Sequence, residues 1–521
     1  MEIPKQIGSR WIRAFRAIEF NKSLLNWLGI IGTIAVVLVH LGSLTTYPVV
    51  DGDEPWFADA PWNFIQSGVL FDRMHTGPLD QFGYPYVRRY FLGTAPWMVI
   101  YAMLGLGLVQ VRLGSLICGV VLMIAMLIVA RKSYSTSTGV LAALLLALSP
   151  PFLHSSHFGR QDIMLAAVLM IAYAMTLVAL QDNKGWAHFA AGLLVGLSVD
   201  VHQNGLFFAP AFAAIYLAHY GRSLLRQRGT WLAALGGALG LAYYLIVFIL
   251  PSPDTYFKLY SFDFAEVNQI PFQSIGGIVN AVRTEIGRYR FYDNNLDFAL
   301  IVAGFVYMLF RCSKLDRPLL IMVAVTFAVF ALFRGSKTTF YAILLYPFMV
   351  LIVAETFVSL IRAVQLNLQR IFVAALLAMV IVNGALHVVD PITENAHYDY
   401  AAITSQIKSV IPPEARVMGL PTWWLGLTEY DYRSSLTIAY YHFFNNYDLE
   451  EILSRIRPDY VIVDELLRGV ITTITEFTVS PNYGFPGDEF QAFLDEQGTV
   501  VLDFVTEEHG QIQVYAIHWD S

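Results

Sequence analysis

The chain has 521 residues, 56% of them hydrophobic and 14% charged, against roughly 45–50% and about 25% in a soluble globular protein. That is too little polar surface to coat a water-soluble body of this size. With a mean hydropathy of +0.54 it excludes a soluble enzyme, a secreted disulfide scaffold and a disordered regulator. The net charge of −7 is unevenly divided: residues 391–521 hold 20 acidic and 6 basic side chains, residues 1–390 hold 20 and 27. Opposite charge and different hydropathy predict a transmembrane domain over 1–390 and a soluble α/β domain over 391–521.

A basic start, Lys5 to Lys22, leads into an apolar run near 26–46, which reads as a retained first span rather than a cleaved signal. A crossing helix needs about 20 apolar residues. Eleven apolar stretches read as spans, near 26–46, 110–130, 138–157, 161–181, 186–203, 205–221, 230–250, 297–311, 317–333, 338–360 and 371–390. The apolar stretch 92–108 is read as lying flat at the interface. Sixteen lysines and arginines then fall on the inner side, as the positive-inside rule requires. The N-terminus is then cytoplasmic. An odd number of spans puts the tail on the extracytoplasmic side of a cell membrane, with two long connections, 47–109 and 251–296. The second mixes aromatic and charged residues, as an interfacial helix does. Cys118 and Cys312 fall toward opposite faces, so no disulfide is expected.

In the tail, Asp448 caps a helical pattern over 449–456, and a strand follows at 460–463. A second amphipathic helix near 487–497 stops at Gly498. Two β-rich runs, 499–505 and 511–517, flank a turn at His509-Gly510.

The chemistry-bearing residues gather on the outer side. Asp51-Gly-Asp53-Glu54-Pro-Trp-Phe57-Ala-Asp59 places four carboxylates in nine residues just past the first span. One reading is a solvated loop whose acids cap a helix starting at Pro55. The other is a general base at the water–lipid boundary, able to take a proton from an acceptor hydroxyl. Arg160, Arg334 and Lys337 lie at outer span ends, where a charge either snorkels to headgroups or serves a function. Asp162 can pair with Arg160, and His202 is either a site group or a buried structural histidine.

Several of these residues recur in a familiar order. Asp53-Glu54 with Phe57 and Asp59 resembles the first-loop motif of the GT-C glycosyltransferases. The protein O-mannosyltransferases and the lipid A aminoarabinose transferase are the groups it is most similar to. Val111-Arg112-Leu113-Gly-Ser115 resembles the start of the family's second span, with Gly114 where the family has proline. Arg160-Gln-Asp162, Gly196-Leu-Ser-Val-Asp200-Val-His202, and Arg334-Gly-Ser336-Lys337 with Tyr341 and Tyr346-Pro347 resemble later motifs.

The resemblance, over about residues 26–360, implies a polytopic helical enzyme. Such an enzyme moves a sugar from a polyprenyl-phosphate carrier to an acceptor on the non-cytoplasmic side, usually with inversion. It implies Asp53 as the base, with Glu54 and Asp59 orienting the acceptor or the sugar. It also implies Arg160, Asp162, His202, Arg334, Lys337 and Tyr341 as substrate contacts. The family's metal-binding or phosphate-binding stretch at the end of the first loop is replaced by Gly93-Thr94-Ala95-Pro96, so no metal or other cofactor is assigned. The sugar donor and the membrane lipid are the expected partners, with no nucleic acid. A lipid-sugar transporter and a non-catalytic glycolipid-binding protein are the rival readings.

Overall fold

A computed structural model describes residues 22–80, 90–264, 274–290, 294–334, 338–364, 367–472 and 486–519. Lys337 lies outside these described residues. Among the described residues the long apolar stretches before residue 395 are helical, as they must be where only intrahelical partners satisfy the backbone. In chain order come α1 (Lys22–Gly42), α2 (Asp53–Ser67), α3 (Leu108–Ser133), α4 (Thr136–Ala147), α5 (Pro150–His157), α6 (Asp162–Asp182) and α7 (Gly185–Val201). Then follow α8 (Ala209–Tyr220), α9 (Arg228–Tyr244), α10 (Asn295–Arg311), α11 (Asp316–Phe333), α12 (Ala342–Ala363) and α13 (Asn367–Glu394).

Each of the eleven expected spans falls on helix, but they are not all full-length. Seven helices among the described residues are long and apolar enough to cross alone: α1, α3, α6, α9 with the turn after it, α11, α12 and α13. The stretch 138–157 is a pair, α4 and α5, bent by 67°. The bend has a local cause. Pro150 and Pro151 cannot donate to the preceding turn, and Ser149 caps the new helix by accepting from the Phe152 amide. The stretch 205–221 is shortened because residues Gln203–Phe208 wind as a 3-10 turn before α8. The segment Ala95–Leu104 has 10 residues, about 15 Å of helix, too short to cross. Its Trp97 indole donates to the Val111 carbonyl at 2.7 Å, which ties it to the first turn of α3.

Beyond α13 the chain builds a five-stranded sheet from β1 (Arg416–Gly419), β2 (Asp431–Ser434), β3 (Tyr460–Val463), β4 (Gly498–Thr506) and β5 (Gly510–Ile517), in the order β2-β1-β3-β5-β4. β1 runs parallel to β2 and β3, while β5 is antiparallel to β3 and β4. The expected cap is present: the Asp448 carboxylate accepts from the Glu451 amide at 2.8 Å, opening a helix over Leu449–Ile456. So are the helix stop at Gly498 and the turn at Gly510, whose φ of 63° favours glycine. The crevice at the carboxyl ends of β1 and β3, where sheets of this kind hold ligands, is filled by the protein itself. Trp423 is fully buried there, and its indole donates to Asp464 at 3.0 Å.

The sheet and the membrane helices are not packed separately. One hydrophobic cluster contains Ala58 of α2, Trp97 and Val111 together with Tyr398, Tyr400, Val417, Trp423, Ile462 and Val514. Polar contacts reinforce it. The Val50 amide donates to the Tyr398 hydroxyl at 3.2 Å, and Thr437 donates to the Met74 carbonyl at 3.1 Å. Arg433 donates to the Arg73 carbonyl at 3.1 Å and to Thr76. The tail therefore sits on residues 47–80, the loop that carries the acids.

Candidate active site

The acidic loop is held from below by an arginine. Arg112, on α3, donates from Nε and Nη2 to the two oxygens of Glu54 at 2.9 and 2.7 Å, a fork-to-fork pair. Its remaining protons go to the carbonyls of Leu44, Tyr47 and Pro48. Glu54 also accepts from the Gly159 amide at 3.1 Å. Neither side chain has any exposure. Glu54 therefore fixes the loop against α3 and the 158–160 corner, and its carboxylate presents no face to a substrate.

Asp59 is likewise enclosed. It accepts from the Met74 amide at 2.8 Å. Burial, and the Asp72 carboxyl beside it, push its pKa well above the usual carboxylate range. Asp72 in turn accepts from the Trp56 indole and lies 3.0 Å from His75 Nδ1. Asp59 thus faces the 72–75 turn rather than the residues around Asp53, and its contact to the Met74 amide shapes the loop.

Asp53 differs. It keeps 28% of its side chain exposed. Its amide is held by the Asp51 carboxylate at 2.9 Å, which sets the first turn of α2. The expected helix start at Pro55 is moved to Asp53, so the acids fall inside the favourable N-terminal turn. Asp53 Oδ2 accepts from Arg160 Nη1, while Arg160 Nε donates to Asp162 at 2.9 Å. The guanidinium lies over the rings of Phe340 and Phe57, 4.7 and 5.1 Å from their centroids. The bend between α4 and α5 delivers it there.

A second cation stands alongside. Arg334, at the end of α11, donates to the Tyr341 hydroxyl at 3.1 Å, and its guanidinium lies 4.9 Å from that ring. Tyr341 is also 6.0 Å from Arg160, so the two arginines flank one tyrosine. His202 packs on Tyr341 at 5.4 Å and stacks on Tyr90 at 5.8 Å. Asp200 in the same motif accepts from the Phe91 and Leu92 amides at 2.9 and 3.0 Å, and so anchors the returning end of the first outer loop.

The structure thus gathers Asp53, Arg160, Asp162, His202, Arg334 and Tyr341, and sets Glu54 and Asp59 behind them. Phe340 and Tyr90 join this neighbourhood without having been singled out for such a role, and the Asp72–His75 pair stands behind it with Asp59. Aromatics next to arginine are the one signal that could have drawn attention to Phe340. No group of three His, Cys, Asp or Glu side chains is placed to hold a metal ion among the described residues.

Chemically, the arrangement offers a half-open carboxylate beside two fixed cations on an aromatic platform, at one end of an apolar bundle. Bundle, acidic loop and capping sheet together define a polytopic membrane protein with the GT-C fold. The family described as dolichyl-phosphate-mannose-protein mannosyltransferase matches residues 94–247. A polyprenol-phosphate-mannose–protein mannosyltransferase of Mycolicibacterium smegmatis is 25% identical over 233 residues, 40% of this chain and 44% of that protein. The chain is thus similar to less than half the length of that relative. Among solved structures, ArnT from Cupriavidus metallidurans, bound to undecaprenyl phosphate, superposes with a TM-score of 0.64 at 14% identity. The match covers 94% of this chain and 97% of that one. The oligosaccharyltransferase AglB from Archaeoglobus fulgidus, in complex with an inhibitory peptide and a dolichol-phosphate, gives 0.55 at 14% identity over 92% and 74%.

Proposed function

We propose that the protein is an integral membrane glycosyltransferase that moves a sugar from a polyprenyl-phosphate carrier to an acceptor hydroxyl on the extracytoplasmic side, with inversion. The observation that carries the reading is the half-open Asp53 carboxylate seated on Arg160 beside Arg334 and Tyr341.

In this reading the acceptor oxygen attacks the anomeric carbon while its proton passes to Asp53. The bond from that carbon to the phosphate oxygen breaks, and the lipid phosphate leaves with growing negative charge. Arg334 and Arg160 are fixed cations that stabilise this charge as it develops. Tyr341 holds Arg334 in place, and Lys337 is assigned to the same phosphate from its position in the sequence. Asp162 keeps Arg160 oriented, and His202 closes the aromatic wall. Glu54 and Asp59 act one layer back, through the loop they hold. A similar protein solved with undecaprenyl phosphate and another solved with a dolichol-phosphate support a carrier of that class.

The N-terminus is assigned to the cytoplasm and residues 391–521 to the outside of the cell membrane, as a domain that covers the site. A transporter finds no support in the matched proteins. Its ionisable groups would also sit near the bilayer midplane rather than at one end of the bundle. A non-catalytic glycolipid-binding protein would have no need of an acid left half open beside two cations.

The test is incubation of membranes carrying the protein with labelled polyprenyl-phosphate sugars. A new glycosidic bond on an acceptor is expected, and movement of the lipid across sealed vesicles without such a bond would overturn the reading.

A further inference from the structure

Four buried side-chain atoms next to this site have no partner among the described residues: both amide atoms of Asn204, Nε2 of Gln161 and Oδ1 of Asp162. None of the three residues is more than 3% exposed. A polar atom removed from water without a hydrogen bond is costly, and each such atom calls for an explanation. The three residues lie on two segments that touch. Asn204 belongs to the 3-10 turn Gln203–Phe208, which packs against α6, whose first residue is Asp162, and against α11, which ends beside Arg334. The Phe207 and Phe208 rings contact Phe330, whose carbonyl accepts from the Arg334 amide. At its other end the turn is tied to the site, because the Asn204 backbone N–H donates to His202 Nδ1 at 3.0 Å.

We propose that Asn204, Gln161 and Asp162 form a subsite for the hydroxyl groups of the carrier-linked sugar, and that Asn204 sets which sugar is accepted. This rests on the transferase reading and deepens it. The open atoms include donors, on Asn204 and Gln161, and acceptors, on Asn204 and Asp162. A sugar hydroxyl both donates and accepts, so a polyhydroxylated ring satisfies the set. A phosphate only accepts and is repelled by Asp162, and an isoprenoid chain satisfies nothing. An acceptor glycan offers the same chemistry as the donor sugar. The position favours the donor, whose sugar is one bond from a phosphate held by Arg334 and Arg160. Ordered water alone is the remaining occupant.

The experiment uses the full chain in detergent with Asn204→Leu, a substitution of similar size. Thermal unfolding is measured alone, with bare polyprenyl phosphate, and with polyprenyl phosphates bearing mannose, glucose, galactose or arabinose. The native protein is expected to be stabilised more by one sugar-bearing carrier than by the bare one. Asn204→Leu is expected to lose that difference while unfolding at or above the native temperature without ligand, because an unpaired amide has been removed. In transfer assays its preference among sugars should fall by about tenfold or more, with KM for the acceptor unmoved.

A lower unfolding temperature with unchanged sugar preference would show the amide to be structural. Equal stabilisation of the native protein by bare and sugar-bearing carriers would leave only water for the subsite and overturn it. A shift in acceptor KM alone would reassign the subsite to the acceptor. Sugar-dependent stabilisation without transfer would overturn the transferase reading and leave the subsite standing. If Asn204→Leu does not fold, Gln161→Met is carried through the same measurements. Failure of both to fold counts against the proposal, since amides the fold needs are not held open for a ligand.

Discussion

Glu54 and Arg112 cannot be exchanged one at a time. Both are fully enclosed, and removing one partner of such a pair strands a buried charge at a cost of about 3–5 kcal/mol. Arg112→Met should therefore unfold at a much lower temperature, and Glu54→Gln together with Arg112→Met should recover part of the loss. Calorimetry or fluorescence-monitored melting in detergent reads both. Asp53 predicts a different outcome. Asp53→Asn keeps the size and the first turn of α2 but cannot take a proton, so transfer should fall roughly 10²–10⁴-fold in a folded protein. Asp51→Asn is the control. Its side-chain oxygen can still accept from the Asp53 amide, and a lost cap costs about 1 kcal/mol. Equal activity in the two variants would move the base elsewhere. Arg334→Ala should lower turnover by roughly 10²-fold, as loss of one charge-stabilising donor does, and normal turnover of carrier-linked sugar would refute its role. By residue type Asp53, Glu54 and Asp59 are three acids on one loop, and only the family resemblance sets Asp53 apart. What separates them is burial, which depends on Arg112, Gly159, Asp72 and Met74, and no local pattern announces those partners.

At the scale of elements, the hairpin of β4 and β5 is a latch. His509, in its turn, lies 3.1 Å from the Tyr398 hydroxyl that accepts the Val50 amide, so the hairpin reaches the residue three positions before Asp53. Burial lowers the His509 pKa from 6.5 to about 4. Between those values the unfolded chain binds a proton that the folded one does not. The contribution of His509 to stability is therefore fully present above pH 6.5 and is lost as the pH drops toward 4, by about 1.4 kcal/mol for each pH unit. Asp464 and Asp51, both raised to about 6 by burial, act in the opposite sense, so the test is a difference: between pH 7 and pH 4.5 the native protein should lose thermal stability relative to His509→Phe. The hairpin and the helix after Asp448 were legible because a cap, a stop and a glycine turn are written in adjacent residues. β1 and β2 were not. Neither is an unbroken β-prone run like Tyr460-Val-Ile-Val463, and their pairing joins Val417 to Tyr432 and Tyr460 across long gaps. The apolar stretches located the membrane helices, but Ser149-Pro150-Pro151 was passed over inside one of them, and there the chain bends to deliver Arg160.

For the molecule as a whole, the assigned topology makes a simple demand. With single cysteines in a cysteine-free background, a membrane-impermeant reagent should label the tail in intact cells and spare positions 184 and 226. Labelling of either inner position, or a protected tail, would invert the protein and place the site on the wrong side for an external acceptor. The shared core has a further consequence, one of timing. Val50 and the tyrosine that receives its amide are 348 positions apart, about 20–70 seconds of synthesis at 5–20 residues per second. Throughout that interval the acidic loop is already made and lacks its roof. A chain terminated just after α13 has every membrane helix and an unfinished seat for Asp53. In the transferase reading, competence is thus conferred by the late part of the chain on the early part, and a truncated fragment is expected to reach the membrane without consuming a polyprenyl-phosphate carrier.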